Sequence, residues 1–121
     1  MNKRRVVITG IGMICPLGNT TAESWAAAQA GHSGIAPITR FDASTFPTRI
    51  VGEVKGFDPT KFVQPKDVKK LDLFSQYAIA AGQEAWDDAG FPQPPEEGSL
   101  PEIGPYQPSR AGCLLGIGIG G

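Results

Sequence analysis

Two segments of the chain carry hydrophobic patterns that predict regular structure. Residues 5–9 (RVVIT) are almost continuously apolar and β-branched, which is typical of a strand covered on both faces. Between residues 71 and 89, apolar side chains recur at three- and four-residue steps and predict one helical stripe that ends before Gly90. The members of the stripe are Leu71, Phe74, Ala78, Ala81 and Ala85. Its alanines predict close packing of another element against this helix.

A second helix is predicted by its end signals. Thr20 followed three residues later by Glu23 forms a capping box, in which the hydroxyl and the carboxylate satisfy free N–H groups at a helix start. Trp25 and the alanines of 26–28 continue this helix, and Gly31 ends it.

The remaining segments complete an alternating order of elements. Residues 32–46 predict a loop, 49–55 a short edge or bulged strand, and 110–116 a further strand. The order strand–helix–strand–helix–strand predicts an α/β layer with parallel pairing. Glycine and proline are abundant, at 16 and 11 residues. Six of the prolines fall within 91–108, which predicts a stiff, exposed connection there.

Charge and composition exclude several classes of protein. The formal net charge is −1, whereas a dedicated nucleic-acid-binding domain is usually strongly basic. Residues 6–14 are too short to cross a bilayer and no small-residue cleavage site follows them, so we expect a cytoplasmic protein without a membrane segment. Two Cys and one His cannot form the usual four-ligand zinc site.

Glycine motifs provide weak evidence for phosphate binding. Gly10 and Gly12 follow the predicted strand, but Cys15 stands where a dinucleotide-binding turn needs its third glycine. We therefore interpret them as a tight turn leaving a strand. The alternating glycines of 116–121 lack the Lys-Ser/Thr ending of a P-loop and favour close backbone packing.

No reaction centre can be assembled from the reactive side chains. Cys15 precedes a proline in a loop and Cys113 lies in a predicted apolar strand, so inert packing is favoured for both. His32 lies in a Gly/Ser loop and is expected at the surface. Asp87 and Asp88 sit at a helix end with no partner for paired-carboxylate catalysis.

Lysines at helical spacing form the candidate partner site. Lys66, Lys69 and Lys70 stand at i, i+3 and i+4, with Lys61 nearby, so a helix through them would show one basic face. Such a face can dock an acidic partner. From the spacing alone, a solvated face that keeps the helix soluble is the preferred interpretation.

Four ordered blocks of sequence resemble one family. They are KRRVVITGIGMICPLGN (3–19), GHSGIAPITRFD (31–42), KKLDLFSQYAIAAGQEAWDDAG (69–90) and GCLLGIGIGG (112–121). Together they resemble the N-terminal part of the β-ketoacyl-acyl carrier protein synthases, and within that family the fatty-acid-elongating type II form. The resemblance spans nearly the whole chain.

The resemblance implies a fold and an activity. The fold would be thiolase-like α/β, of which residues 1–121 would form the N-terminal portion only, an incomplete βαβαβ layer within a homodimer. The activity would be decarboxylative Claisen condensation of an acyl thioester, held on a cysteine, with malonyl-acyl carrier protein. No cofactor is implied.

The resemblance also assigns binding residues. It implies that Lys66, Lys69 and Lys70 belong to the basic helix that docks the acyl carrier protein, which reverses the preference from spacing. It implies that Ile119 lines the acyl-chain pocket near the dimer interface.

The catalytic residues that the resemblance implies are expected beyond Gly121. In the family, the nucleophilic Cys and its two assisting His follow the glycine block that ends at this position. Neither Cys15 nor Cys113 matches the nucleophile. We therefore expect no catalytic residue within 1–121 and an inactive chain by itself.

Two departures and two alternatives accompany the resemblance. Cys15 stands where the family often has Ser, and the Pro-rich 91–108 is an inserted loop by comparison with the family. One alternative is a non-catalytic carrier-binding module or a ketosynthase-like subunit of polyketide type. The other alternative, a nicotinamide-binding domain, rests on Gly10 and Gly12 alone.

The isolated chain is expected to fold poorly, with exposed sheet edges and apolar faces.

Overall fold

One long helix organises the part of the chain that the structure describes. The structure is a computed structural model that describes residues 3–93, 103–104 and 106–118. Helices and strands follow in the order α1 (Thr21–Gln29), β1 (Ile35–Pro37), β2 (Ile50–Gly52), a 3-10 turn (Pro59–Lys61), α2 (Pro65–Val68), α3 (Leu73–Asp88) and a second 3-10 turn (Pro108–Arg110).

Helix α1 begins at the predicted capping box. The Thr20 hydroxyl accepts a hydrogen bond from the Glu23 N–H at 3.1 Å. The Glu23 carboxylate accepts in turn from the N–H of Asn19 at 2.8 Å, one residue earlier than the usual box. The helix ends before Gly31, whose φ of +72° is readily adopted only by glycine. The predicted boundaries are thus confirmed at both ends.

Helix α3 confirms the predicted helix and its end, but the residues of the predicted apolar stripe are only half-buried. It begins at Leu73, so Leu71 precedes it, and it ends before Gly90, which has a φ of +72°. Ala80, on a neighbouring face, is only 1% exposed. Among the described residues, no helix is both long and apolar enough to span a membrane.

The sheet differs from the predicted one. Strands β1 and β2 pair antiparallel, with Ala36 opposite Val51, so the expected parallel pairing is wrong within the described residues. Strand β1 lies inside the predicted loop 32–46, while β2 lies inside the predicted strand 49–55. A strand forms only where a neighbouring strand takes up its backbone hydrogen bonds, and hydrophobic pattern alone does not supply that neighbour.

Two predicted strands are absent from the described part of the chain. Residues 5–9 have no sheet partner there, and Val6 is 93% exposed. Residues 110–116 also form no strand, and Leu114 is 97% exposed. Large apolar side chains of both segments are exposed, so no element within the described residues covers them.

The N-terminal segment (residues 3–14) packs against α3 through two glycines. A β-carbon on Gly10 or Gly12 would overlap the main-chain oxygen of Ala85 or Ala81, respectively. Neither glycine has a positive φ and no turn forms at this point, so the interpretation as a tight turn is wrong. Only glycine fits at these two positions because the backbone of the N-terminal segment lies against the backbone of α3. This agrees with the close packing that the alanines of the α3 stripe predicted.

Two carboxylates of α3 bind the same segment. Glu84 accepts the N–H of Met13 at 2.8 Å, and Asp88 accepts the N–H of Ile11 at 2.9 Å. The second oxygen of Glu84 accepts the N–H of Thr21 at 2.7 Å, which is a free donor of the first turn of α1. Helix α3 therefore anchors both the N-terminal segment and the start of α1.

The Pro-rich segment begins with an anchored turn. The indole of Trp86 packs on Phe91 with 4.9 Å between ring centroids, and its N–H donates to the carbonyl of Pro92 at 3.0 Å. Residues 94–102 and 105 lie outside the described residues, so most of the predicted insertion does as well.

Candidate docking surface and apolar groove

The predicted basic helix is a single helical turn followed by a bend. We call residues 65–70 the basic turn. Helix α2 ends at Val68, so Lys66 lies in the helix, Lys69 is its C-terminal cap and Lys70 lies in the bend that follows. All three lysine side chains are exposed. A continuous helix through all three is therefore wrong, although the lysines do share one short, exposed stretch.

The charges of the basic turn are partly offset. The ammonium of Lys70 lies 2.7 Å from a carboxylate oxygen of Asp67, three residues earlier. Lys66 and Lys69 form no salt bridge within the described part of the chain. These two lysines are therefore the charges free to meet an acidic partner. An exposed pair such as Lys70–Asp67 contributes little stability.

A buried glutamine of α3 holds the end of the basic turn. Gln76 is 6% exposed, and its amide donates to the carbonyl of Val68 at 3.1 Å and to that of Leu71 at 2.7 Å. Sequence analysis did not identify Gln76, because a glutamine within a helix is common and carries no special spacing signal. Its partners lie five and eight residues away, across the bend.

An apolar groove lies along another face of α3. Its volume is about 650 Å³. One wall comes from α3 and the other from the segment 113–118. The lining residues are Phe74, Ser75, Ala78, Ile79, Gly82, Cys113, Leu115, Gly116, Ile117 and Gly118. Ile119, the residue expected in the acyl pocket, lies outside the described residues and directly follows this wall.

The two cysteines occupy different environments. Cys113 is exposed, contrary to inert packing in a strand, because its segment forms no strand in the described residues. Cys15 is half-buried, with its sulfur 3.2 Å from the hydroxyl oxygen of Ser24. The Ser24 hydroxyl lowers the pKa of Cys15 because it can donate to the thiolate, and this outweighs the opposing effect of burial.

The remaining candidate residues form no reaction centre. His32 is exposed, as predicted. Asp87 accepts hydrogen bonds from the amides of Gln83 and Gln93, and Asp88 binds the N-terminal segment. Among the described residues, no three His, Cys, Asp or Glu side chains gather in a way that could hold a metal ion.

The expected position of the catalytic residues, beyond Gly121, stays a prediction. Gly121 itself lies outside the described residues, together with Ile119 and Gly120.

The fold and these surfaces can be compared with known proteins. The family model of the beta-ketoacyl synthase N-terminal domain matches residues 3–121. The chain therefore belongs to the β-ketoacyl synthase family, which confirms the predicted thiolase-like fold class.

Individual relatives agree with this family. The chain is 46% identical over its full length to a 3-oxoacyl-[acyl-carrier-protein] synthase 2 of Coxiella burnetii and 49% identical to one of Vibrio harveyi, covering 27% of each. The solved ishigamide ketosynthase/chain length factor is 40% identical, with a TM-score of 0.66 over 74% of this chain and 22% of its own. The chain thus spans about a quarter of the length of the curated relatives that it matches.

Proposed function

We propose that these 121 residues form the N-terminal portion of a 3-oxoacyl-[acyl-carrier-protein] synthase that elongates fatty acids. The observation that carries the proposal is the family match over residues 3–121, joined by relatives of that name at 46% and 49% identity. The chain itself contributes surfaces for substrate rather than the reacting groups.

The reaction has three steps. A cysteine thiolate attacks an acyl thioester and forms the acyl-enzyme, and the carrier leaves as a thiolate that takes up a proton from solvent. Malonyl-carrier then loses CO₂, and the electron pair of the broken C–C bond forms a carbanion at the adjacent carbon. The carbanion attacks the acyl-enzyme carbonyl, the new C–C bond forms and the cysteine thiolate leaves. In this proposal the cysteine and its assisting histidines are supplied by residues beyond Gly121.

The basic turn is the part of this chain that meets the carrier protein. Lys66 and Lys69 are exposed and free of salt bridges within the described residues, while Lys70 shares its charge with Asp67. Charges arranged in this way attract an acidic partner and orient it, with the main effect on the association rate. The carrier would bind beside the start of α3.

The apolar groove is the part that meets the acyl chain. Its walls are almost entirely apolar side chains and glycines, a surface that favours a hydrocarbon over a polar ligand. Ile119 follows Gly118 at the end of one wall. We assign Ile119 to the acyl pocket because the resemblance to the family implies this role and the residue follows the apolar wall in sequence.

The docking assignment is tested by removing the three charges. The full-length protein that carries this chain is assayed with Lys66, Lys69 and Lys70 changed together to Ala. The KM for the acyl carrier substrate is expected to rise about tenfold or more, with a weaker dependence on salt. The control is the same change at Lys3, Arg4 and Arg5, which removes an equal charge from another exposed segment. Equal effects of the two triple variants would contradict a specific docking surface.

A further inference from the structure

Gln76 is a buried polar residue whose side chain forms hydrogen bonds with the backbone at the end of the basic turn. It is one of two buried polar side chains among the described residues, the other being Ser24. A buried amide without partners is costly, yet both donors of the Gln76 side-chain amide are used by main-chain carbonyls. The arrangement therefore fixes the backbone that accepts these bonds.

The two carbonyls that accept these hydrogen bonds flank Lys69 and Lys70 in sequence. Val68 is the final residue of α2, where helical carbonyls lose their intrahelical partners, and Leu71 follows Lys70. The amide thus ties the chain on both sides of Lys69 and Lys70 to helix α3. The lysine side chains themselves are exposed and are not bound by Gln76, and Lys70 pairs with Asp67.

We propose that Gln76 is the positioning residue of the carrier-docking surface, because its amide sets the direction in which Lys69 and Lys70 leave the backbone. This inference rests on the proposed function. A long exposed lysine loses side-chain entropy on pairing, so a single one contributes little to binding. A fixed backbone lets several lysines meet the acidic partner together and reduces the cost of ordering them.

Helix α3 connects the basic turn to the apolar groove. Phe74 and Ser75, beside Gln76 in sequence, line the apolar groove. The basic turn and the groove are therefore both held by helix α3. A carrier held by the turn has a defined placement relative to the groove, and loosening the turn would disturb carrier binding while leaving the groove intact.

Two variants of the full-length protein test the proposal. Gln76→Glu keeps the side-chain size but removes both donors, and Gln76→Met keeps the length without adding a charge. Gln83→Glu is the matched control, since Gln83 lies on the same helix and bonds only the Asp87 side chain in the described residues. Each protein is assayed with an acyl carrier substrate and with the corresponding acyl-pantetheine, which has no carrier protein to dock.

The expected result is a split between the two substrates. The KM for acyl carrier rises about fivefold in both Gln76 variants, while kcat and the KM for acyl-pantetheine stay within about twofold of the parent. A merely structural role would change both substrates in parallel, and that result, or no change, would overturn the proposal. Because both substrates are measured on one preparation, partial unfolding cannot produce the split.

Failure of the inference is distinguishable from failure of the docking surface. If the triple lysine variant raises the carrier KM and the Gln76 variants do not, the surface stands and Gln76 has no positioning role. If the lysine variant leaves the carrier KM unchanged, the docking surface is wrong and the role of Gln76 fails with it.

Discussion

Gly12 lies directly against the backbone of Ala81, so that a β-carbon on the glycine would overlap the alanine's main-chain oxygen and fall 2.7 Å from the N–H nitrogen of Ala85. Both obstructing atoms belong to the backbone of α3, which cannot rotate away as a side chain would. The contact therefore permits only glycine.

Gly12→Ala is expected to destabilise the protein by about 3 kcal/mol or more, because the N-terminal segment must move off α3. The matched control is Gly82→Ala in the middle of α3, where a β-carbon meets nothing within 4 Å. That change should stabilise by about 0.5–1 kcal/mol, since alanine favours a helix. Denaturant unfolding of both variants measures the difference. A Gly12→Ala protein as stable as the parent would contradict the close approach.

Glu84→Ala is expected to release two backbone N–H groups at once. The carboxylate binds the N–H of Met13 and that of Thr21, so the loss should cost about 2 kcal/mol. Hydrogen exchange at these two amides should accelerate together, while the capped N–H of Glu23 keeps its protection through Thr20. Gln83→Ala on the same helix is the control, with an expected change within about 0.5 kcal/mol. Unchanged exchange at Met13 would contradict the account.

The Cys15 thiol is expected to react with iodoacetamide at a lower pH than an ordinary thiol. The Ser24 hydroxyl stabilises the thiolate and lowers the pKa of Cys15. In Ser24→Ala the pKa should rise, so the pH profile of alkylation should move to higher pH. Cys113 serves as the internal reference, with its alkylation identified separately by peptide mass. A Cys15 profile that does not move in Ser24→Ala would show that another group lowers the pKa.

Glu53 is expected to make the β1–β2 hairpin more stable above its ordinary pKa than in acid. The side chain and N–H of Thr39 bind the carboxylate, at 2.6 and 3.1 Å, and lower the pKa of Glu53. Because the folded pKa lies below the unfolded one, this stabilisation is complete above the unfolded pKa and is lost as pH falls through the folded pKa. In Thr39→Val the carboxyl carbon of Glu53 should titrate at a higher pH by NMR. An unmoved titration would contradict the assignment.

Local signals in the sequence predicted the helices well. The hydroxyl of Thr20 and the carboxylate of Glu23 act within one turn, and Gly31 and Gly90 end helices through their own backbone conformation. Interactions of this kind involve neighbours in sequence, so a single chain contains the necessary information.

Contacts between residues far apart in the chain could not be predicted from local sequence signals. The carboxylates of Glu84 and Asp88 bind amides 63 to 77 residues away, and no spacing rule connects them. The apolar residues of 5–9 predicted a strand, but strand formation depends on a neighbour that the pattern does not specify. Gly12 was interpreted as part of a tight turn, whereas the structure shows that it is needed for a close approach to the backbone of α3.

The sequence predicted which lysines form the candidate docking surface, but it did not predict the backbone conformation that carries them. The spacing of Lys66, Lys69 and Lys70 predicted one helical face, whereas α2 ends at Val68 and a bend follows. Gln76 closes that bend through its side-chain amide and has no place in the lysine pattern, so the charge spacing could not reveal it.

Formation of a carbon–carbon bond tests the central claim most directly. The full-length protein is incubated with an acyl carrier protein and malonyl-carrier protein, and the intact masses of the carriers are measured. We expect a carrier bearing the acyl group extended by two carbons with a 3-oxo group, and one CO₂ released for each. Binding of the carrier without this product would contradict the synthase assignment and favour a non-catalytic carrier-binding subunit.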